Sequence, residues 1–172
     1  MDLRFVSRDL RRLDLAATEV LLAPLAEDDR PPHGVAGLVD WRLAGRVSQL
    51  LISGFATGAL GEVLLIPGKP KLPFDKVVFF GCGPRAAFGE KTFRRVVEAM
   101  LATLEGLRVR SAVVELPGRH FGAIPPERAA DILLEQAATR TEHDVWTLVE
   151  PADAQRTITQ HMVAERRRVR QQ

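Results

Sequence analysis

The chain has 172 residues, 46% of them apolar and 27% charged, with a formal net charge of +2. That mix is enough for one globular domain and excludes a disordered chain, and no apolar run nears the ~20 residues needed to span a bilayer. A single cysteine, Cys82, excludes an internal disulfide framework, and so small a net charge does not suit a protein built to wrap nucleic acid.

The opening Met1-Asp2-Leu3-Arg4-Phe5 is charged and lacks the apolar core of a signal peptide, so a cytoplasmic location is expected. Leu3 to Leu15 alternates apolar and charged residues, the pattern of one or two edge strands. Glu19-Val20-Leu21-Leu22-Ala23-Pro24 reads as a short buried strand, and the polar loop Glu27 to Gly34 follows it. Val39, Leu43, Val47, Leu50 and Leu51 then fall on one stripe of a 3.6-residue repeat, predicting a helix from about Val35 to Ser53, with Gly54 as its cap.

Leu60 to Ile66 is a predicted strand closed by Pro67-Gly68. Lys76-Val77-Val78-Phe79-Phe80 is apolar on consecutive positions, which marks an inner strand covered on both faces. Gly81-Cys82-Gly83-Pro84 breaks it. A helix from about Glu90 to Leu104 follows, burying Phe93, Val96, Val97, Met100, Leu101 and Leu104. Ser111 to Leu116 is the next strand, and Pro125 and Pro126 open the next helix, where a missing N–H is harmless. Asp144 to Glu150 is a further strand, and Pro151 starts a last helix that reaches Val169. The sum is a single α/β domain over residues 1–172: a three-layer α/β/α sandwich with a mixed, mostly parallel sheet of about six strands. Residues 164–172 are expected to form a frayed basic tail.

One segment carries a family resemblance. Phe55-Ala56-Thr57-Gly58-Ala59-Leu60-Gly61-Glu62 leads into an apolar strand, and Lys76 to Phe80 runs into Gly81-Cys82-Gly83. Phe88-Gly89-Glu90 to Leu104 and then Val113-Val114 supply the following helix and strand. This resembles the N-terminal domain of the leucyl aminopeptidase family, the M17 metallopeptidases, over roughly Val20 to Glu150. The resemblance implies a macrodomain-like fold, which many relatives use to bind ADP-ribose. It also implies that the chemistry lies elsewhere. In these peptidases two metal ions sit in a C-terminal domain, within a signature reading N-T-D-A-E-G-R-L. This chain contains no asparagine, so the expectation is a free-standing copy of the non-catalytic half, with no catalytic residues, no metal and no cofactor.

Within that fold, several segments carry candidate chemistry. Gly81, Cys82, Gly83, Pro84 and Arg85 end a strand and precede a helix, where glycine backbone N–H groups and a guanidinium suit an anion. Cys82 reads either as a nucleophile or as a small buried residue in a tight turn. Gly118, Arg119, His120 and Phe121 form a second strand-end loop, with a cation and an aromatic that would stack on a base. Macrodomains that bind ADP-ribose well usually show N-x-A-N after an early strand, and Ala23-Pro24-Leu25-Ala26 stands at the corresponding place here. The four histidines, His33, His120, His143 and His161, fall in separate elements without metal-ligand spacing, and Glu27-Asp28-Asp29 reads as a solvated cluster. Arg166, Arg167, Arg168 and Arg170 offer phosphate contacts or simply complement a helix end. The functional expectation is therefore a non-catalytic module that associates with itself or with a separately encoded protein partner. The alternatives are a sensor for a small anionic nucleotide of the ADP-ribose type and a nucleic-acid accessory factor that works through the C-terminal arginines.

Overall fold

The structure is a computed structural model that describes residues 1–171; Gln172, the last residue of the expected tail, lies outside the described residues. Six strands form one sheet: β1 (Asp2–Val6), β2 (Val20–Leu25), β3 (Val63–Pro67), β4 (Lys76–Gly81), β5 (Ser111–Val114) and β6 (Val145–Val149). Their order is β1-β6-β5-β2-β4-β3, and only β3 runs antiparallel to its neighbour. The sandwich with a mixed, mostly parallel sheet is thus the architecture observed.

Side-chain alternation sorts the core into two layers. Val20, Leu22, Val78, Phe80, Ala112, Val114, Trp146 and Leu148 face one layer, which also contains buried residues of α4 (Glu90–Leu107) and α5 (Pro126–Ala137). Leu21, Ala23, Leu25, Val77, Phe79, Val113 and Val149 face the other, with α1 (Leu10–Leu15), α2 (Gly34–Arg42) and α3 (Arg46–Ile52). All six residues of β2 are buried, as a central strand between two helical layers requires. Each fully buried Leu, Val or Phe contributes about 1.5–3 kcal/mol over its exposed state. The last helix, α6 (Ala152–Arg170), buries Ala154 and Ile158 and packs on α5. No helix among the described residues is long and apolar enough to cross a membrane.

Two local expectations are corrected. Leu3 to Leu15 forms β1 and then a helix, because the Asp9 side chain caps α1 by accepting from Arg12 N–H at 3.1 Å. The single helix expected from Val35 to Ser53 is two helices. Ala44 and Gly45 adopt positive φ between them, and the Asp40 carboxylate accepts from Ser48 N–H at 2.9 Å across the break.

Pro24 sits in a central strand, where proline is normally excluded for want of an N–H. Leu25 C=O accepts from Cys82 N–H on the β4 side, whereas Leu22 C=O accepts from Glu115 N–H on the β5 side. Alternation therefore turns Pro24 toward β5, and the β2–β5 ladder stops at Leu22 while β2–β4 pairing runs on to Leu25. The missing donor falls where the sheet has already divided.

Candidate functional site

Strand C-termini are where open α/β sheets place ligands, and here the ends of β2, β4, β5 and β6 converge on a set of charged side chains. Asp29, in the loop after β2, is 3% exposed. Its Oδ1 accepts from His33 Nδ1–H at 2.5 Å, and its Oδ2 accepts from His120 Nε2–H at 3.0 Å. An ionised carboxylate only accepts, which assigns both ring nitrogens as donors. Burial, the largest influence, pushes the Asp29 carboxyl up, but the hydrogen bonds from His33 and His120 outweigh it and hold the group below its ordinary 3.8.

Glu115 directly follows β5 and is fully buried. Oε2 accepts from Arg8 Nε–H at 2.9 Å and Oε1 from Val35 N–H at 3.1 Å. Burial dominates its titration and pushes the carboxyl above the usual range despite Arg8, His120 and the Val35 amide. His120 Nδ1 faces Glu115 Oε1 at 3.7 Å, beyond hydrogen-bond reach, and has no partner among the described residues. The result is a relay of alternating basic and acidic side chains, Arg8–Glu115–His120–Asp29–His33. It ties the β1–α1 loop, the end of β5, the β5–α5 loop and the start of α2 into one body. His33 is the most exposed side chain in it, at 65%.

The two predicted loops are brought together around this relay. Phe88 stands edge-on to Phe121 with ring centroids 5.5 Å apart, and it packs against Gly118; Phe121 also meets the His120 ring at 4.9 Å. Arg85 Nη1 lies 4.0 Å from the Asp29 carboxylate, and Arg85 Nε lies 3.5 Å from that of Asp28. The backbone N–H groups of Gly81, Cys82 and Gly83 donate to Glu62, Leu25 and Gly58 carbonyls, and Arg85 N–H donates to Asp28 Oδ1. Pro84 has none to offer. The amides of this turn are therefore taken up within the chain. Arg119 donates to both oxygens of buried Glu150, at 2.7 and 3.0 Å, and to Ile124 C=O at 2.7 Å, locking its loop to the end of β6. Cys82 is 3% exposed, and burial pushes its thiol up to about 12.

The C-terminal arginines lie apart from this site on the last turns of α6. Arg166, Arg167, Arg168 and Arg170 are exposed, and Arg168 pairs with Glu165 at 2.7 Å.

Sequence reasoning missed Arg8, Glu115 and Glu150, and it read Asp29 as part of a solvated cluster and His33 as a histidine without metal-ligand spacing. One signal was present: Glu115 and Glu150 each end a run of apolar strand residues, an odd place for a charge unless it is paired.

Comparison with known proteins fits this architecture. The profile of the cytosol aminopeptidase family, N-terminal domain, matches residues 20–144. A probable cytosol aminopeptidase of Halorhodospira halophila is 35% identical over 104 residues, 60% of this chain and 20% of that protein. The chain thus spans about a fifth of the length of that relative. A Trypanosoma brucei macrodomain solved in complex with ADP superposes with a TM-score of 0.70 at 16% identity, covering 94% of this chain and 69% of that one. Tomato leucine aminopeptidase superposes with a TM-score of 0.63 at 13% identity, over 94% of this chain and 35% of its own. The structural likenesses show the macrodomain-like fold, and the profile shows the family: this chain belongs to the N-terminal domain family of the cytosol aminopeptidases.

Proposed function

We propose that this domain works by association with another protein surface and performs no catalysis of its own. The observation that carries the reading is the distribution of side chains between mouth and surface. The mouth of the sheet is occupied by the chain's own relay, while Trp41, Ile52 and Phe55 stand 73–86% exposed on and just after α2 and α3. Large apolar side chains gathered into one exposed patch mark binding faces, and this reading takes the three as such a patch. The test is sedimentation of the purified protein across a wide concentration range, alone and with its candidate partners, alongside a peptidase assay on a leucine anilide. Concentration- or partner-dependent mass with no hydrolysis supports the reading; metal-dependent hydrolysis that copurifies with the chain overturns it.

A second reading is favoured by one observation, the fold shared with a macrodomain solved with ADP. In this reading the domain senses a small anionic nucleotide, with Arg85 as its exposed guanidinium at the mouth. Calorimetric titration with ADP-ribose, with AMP as control, tests it. Saturable heat that disappears in Arg85→Ala supports a sensor, and a flat trace at millimolar ligand removes it.

A further inference from the structure

The two edges of the sheet are unlike. At the β1 edge, Asp2 and Arg4 are exposed charges, the usual protection of a free edge. At the β3 edge, Val63-Leu64-Leu65-Ile66 is four aliphatic residues in a row. The charges that bracket it are turned away. The Glu62 carboxylate accepts from the N–H groups of Thr57 and Gly58 at 2.9 Å, and Lys69 is held by Asp75 at 2.6 Å.

Backbone geometry adds a direction. Gly81 N–H donates to Glu62 C=O and Gly68 N–H to Asp75 C=O, so the even-numbered residues of β3 bond to β4. Val63 and Leu65 therefore point their N–H and C=O groups outward, where they have no partner among the described residues. Their side chains share the α4 side of the sheet, where Val63 lies beside Arg95, Val96 and Ala99 of α4, and both remain 48% exposed.

We propose that β3 pairs antiparallel with β3 of a second copy of this chain, joining two sheets into one. This rests on the association reading and names its partner. A second copy is the occupant that the edge itself specifies. An uncharged strand is complementary to its own copy about a two-fold axis, and such a contact closes on itself. Pro67, which has no N–H, then selects the register. Centring the axis on Leu64 places Val63 opposite the partner's Leu65, so every outward N–H and C=O of both residues finds a partner. Centring it on Leu65 would set Val63 C=O against a proline ring. In the favoured register Val63 and Leu65 also cover their counterparts on the α4 side. One short strand pair buries less than the ~1,200 Å² of a stable specific interface, so the dimer is weak and concentration-dependent.

The experiment is sedimentation velocity on the wild type and on Leu65→Lys, with hydrogen exchange read at the Val63 and Leu65 amides. Leu65 is half exposed at the edge, so the lysine leaves the fold intact, which circular dichroism checks. The proposal expects the wild type to dimerise at high concentration, the two amides to gain protection with it, and Leu65→Lys to weaken the dimer by about tenfold or more. A wild-type dimer that Leu65→Lys leaves unchanged overturns the β3 interface while sparing association. A wild type that stays monomeric at every concentration overturns the second copy as partner. The broader association reading is then decided by the mixtures with other proteins.

Discussion

Gly34 lies so close to Glu115 that a Cβ built on it would fall 2.5 Å from Oε1, and its φ of +65° is left-handed. Glycine is what lets α2 begin directly against a buried carboxylate and offer it the Val35 amide. Gly34→Ala adds left-handed strain and displaces Glu115, a combined loss of about 2–4 kcal/mol. A fall in melting temperature of roughly 5–15 °C is expected by thermal circular dichroism. An unchanged melting temperature would show that the relay has room to shift.

Arg8 is the charge that balances buried Glu115. Arg8→Met leaves the carboxylate unpaired and should cost about 3–5 kcal/mol near neutral pH. The loss depends on pH with a definite sign. The folded-state pKa of Glu115 lies above its ordinary 4.5, so the unfolded chain releases that proton first and stability falls as pH rises above 4.5. Removing Arg8 raises the folded value further and extends the fall to higher pH. Urea melts at pH 5 and pH 8 should show a larger deficit at pH 8; equal deficits would count against this assignment.

Asp29 works in the opposite direction. Its folded pKa lies below 3.8, so its stabilisation is complete above that pH and is lost as pH falls through the lower folded value. Asp29→Asn should therefore be less stable than wild type at pH 7 and should lose less on acidification below pH 4. Denaturant melts through that range test it. Parallel acid limbs would assign the acid sensitivity to other carboxylates.

Cys82, buried and with its thiol pushed up to about 12, should be almost wholly protonated at pH 8. Iodoacetamide should label it slowly in the native protein and fully after denaturation, with mass spectrometry as the readout. Rapid native labelling would mean that the turn opens far more often than its burial suggests.

Much of the fold was legible because burial writes itself into local pattern. The unbroken apolar runs of β2 and β4, and the stripe from Phe93 to Leu104, each follow from what a covered strand or a half-buried helix must carry. α1 was missed because six residues give too few turns for a 3.6-residue period to show, and its cap, Asp9, belongs equally to a charged edge strand. The break at Ala44-Gly45 was missed because the apolar stripe continues across it. The relay was illegible for another reason. Two of its links join residues 91 and 107 positions apart, and nothing in the run Glu27-Asp28-Asp29 distinguishes the one buried carboxylate from its exposed neighbours. Proximity in the sequence suggested the two strand-end loops; it could not show that His120 and Arg119 would turn inward onto carboxylates.

The division of the sheet at Pro24 has a consequence for anyone wishing to reshape this domain. Beyond Leu22, Pro24 has no N–H to offer β5, so backbone pairing at that position cannot close the sheet whatever side chains lie nearby. Replacing the relay with neutral, smaller side chains should therefore leave the β2–β5 ladder ending where it does now. A designer would inherit a ladder end at the centre of the sheet whose position survives changes to the residues around it.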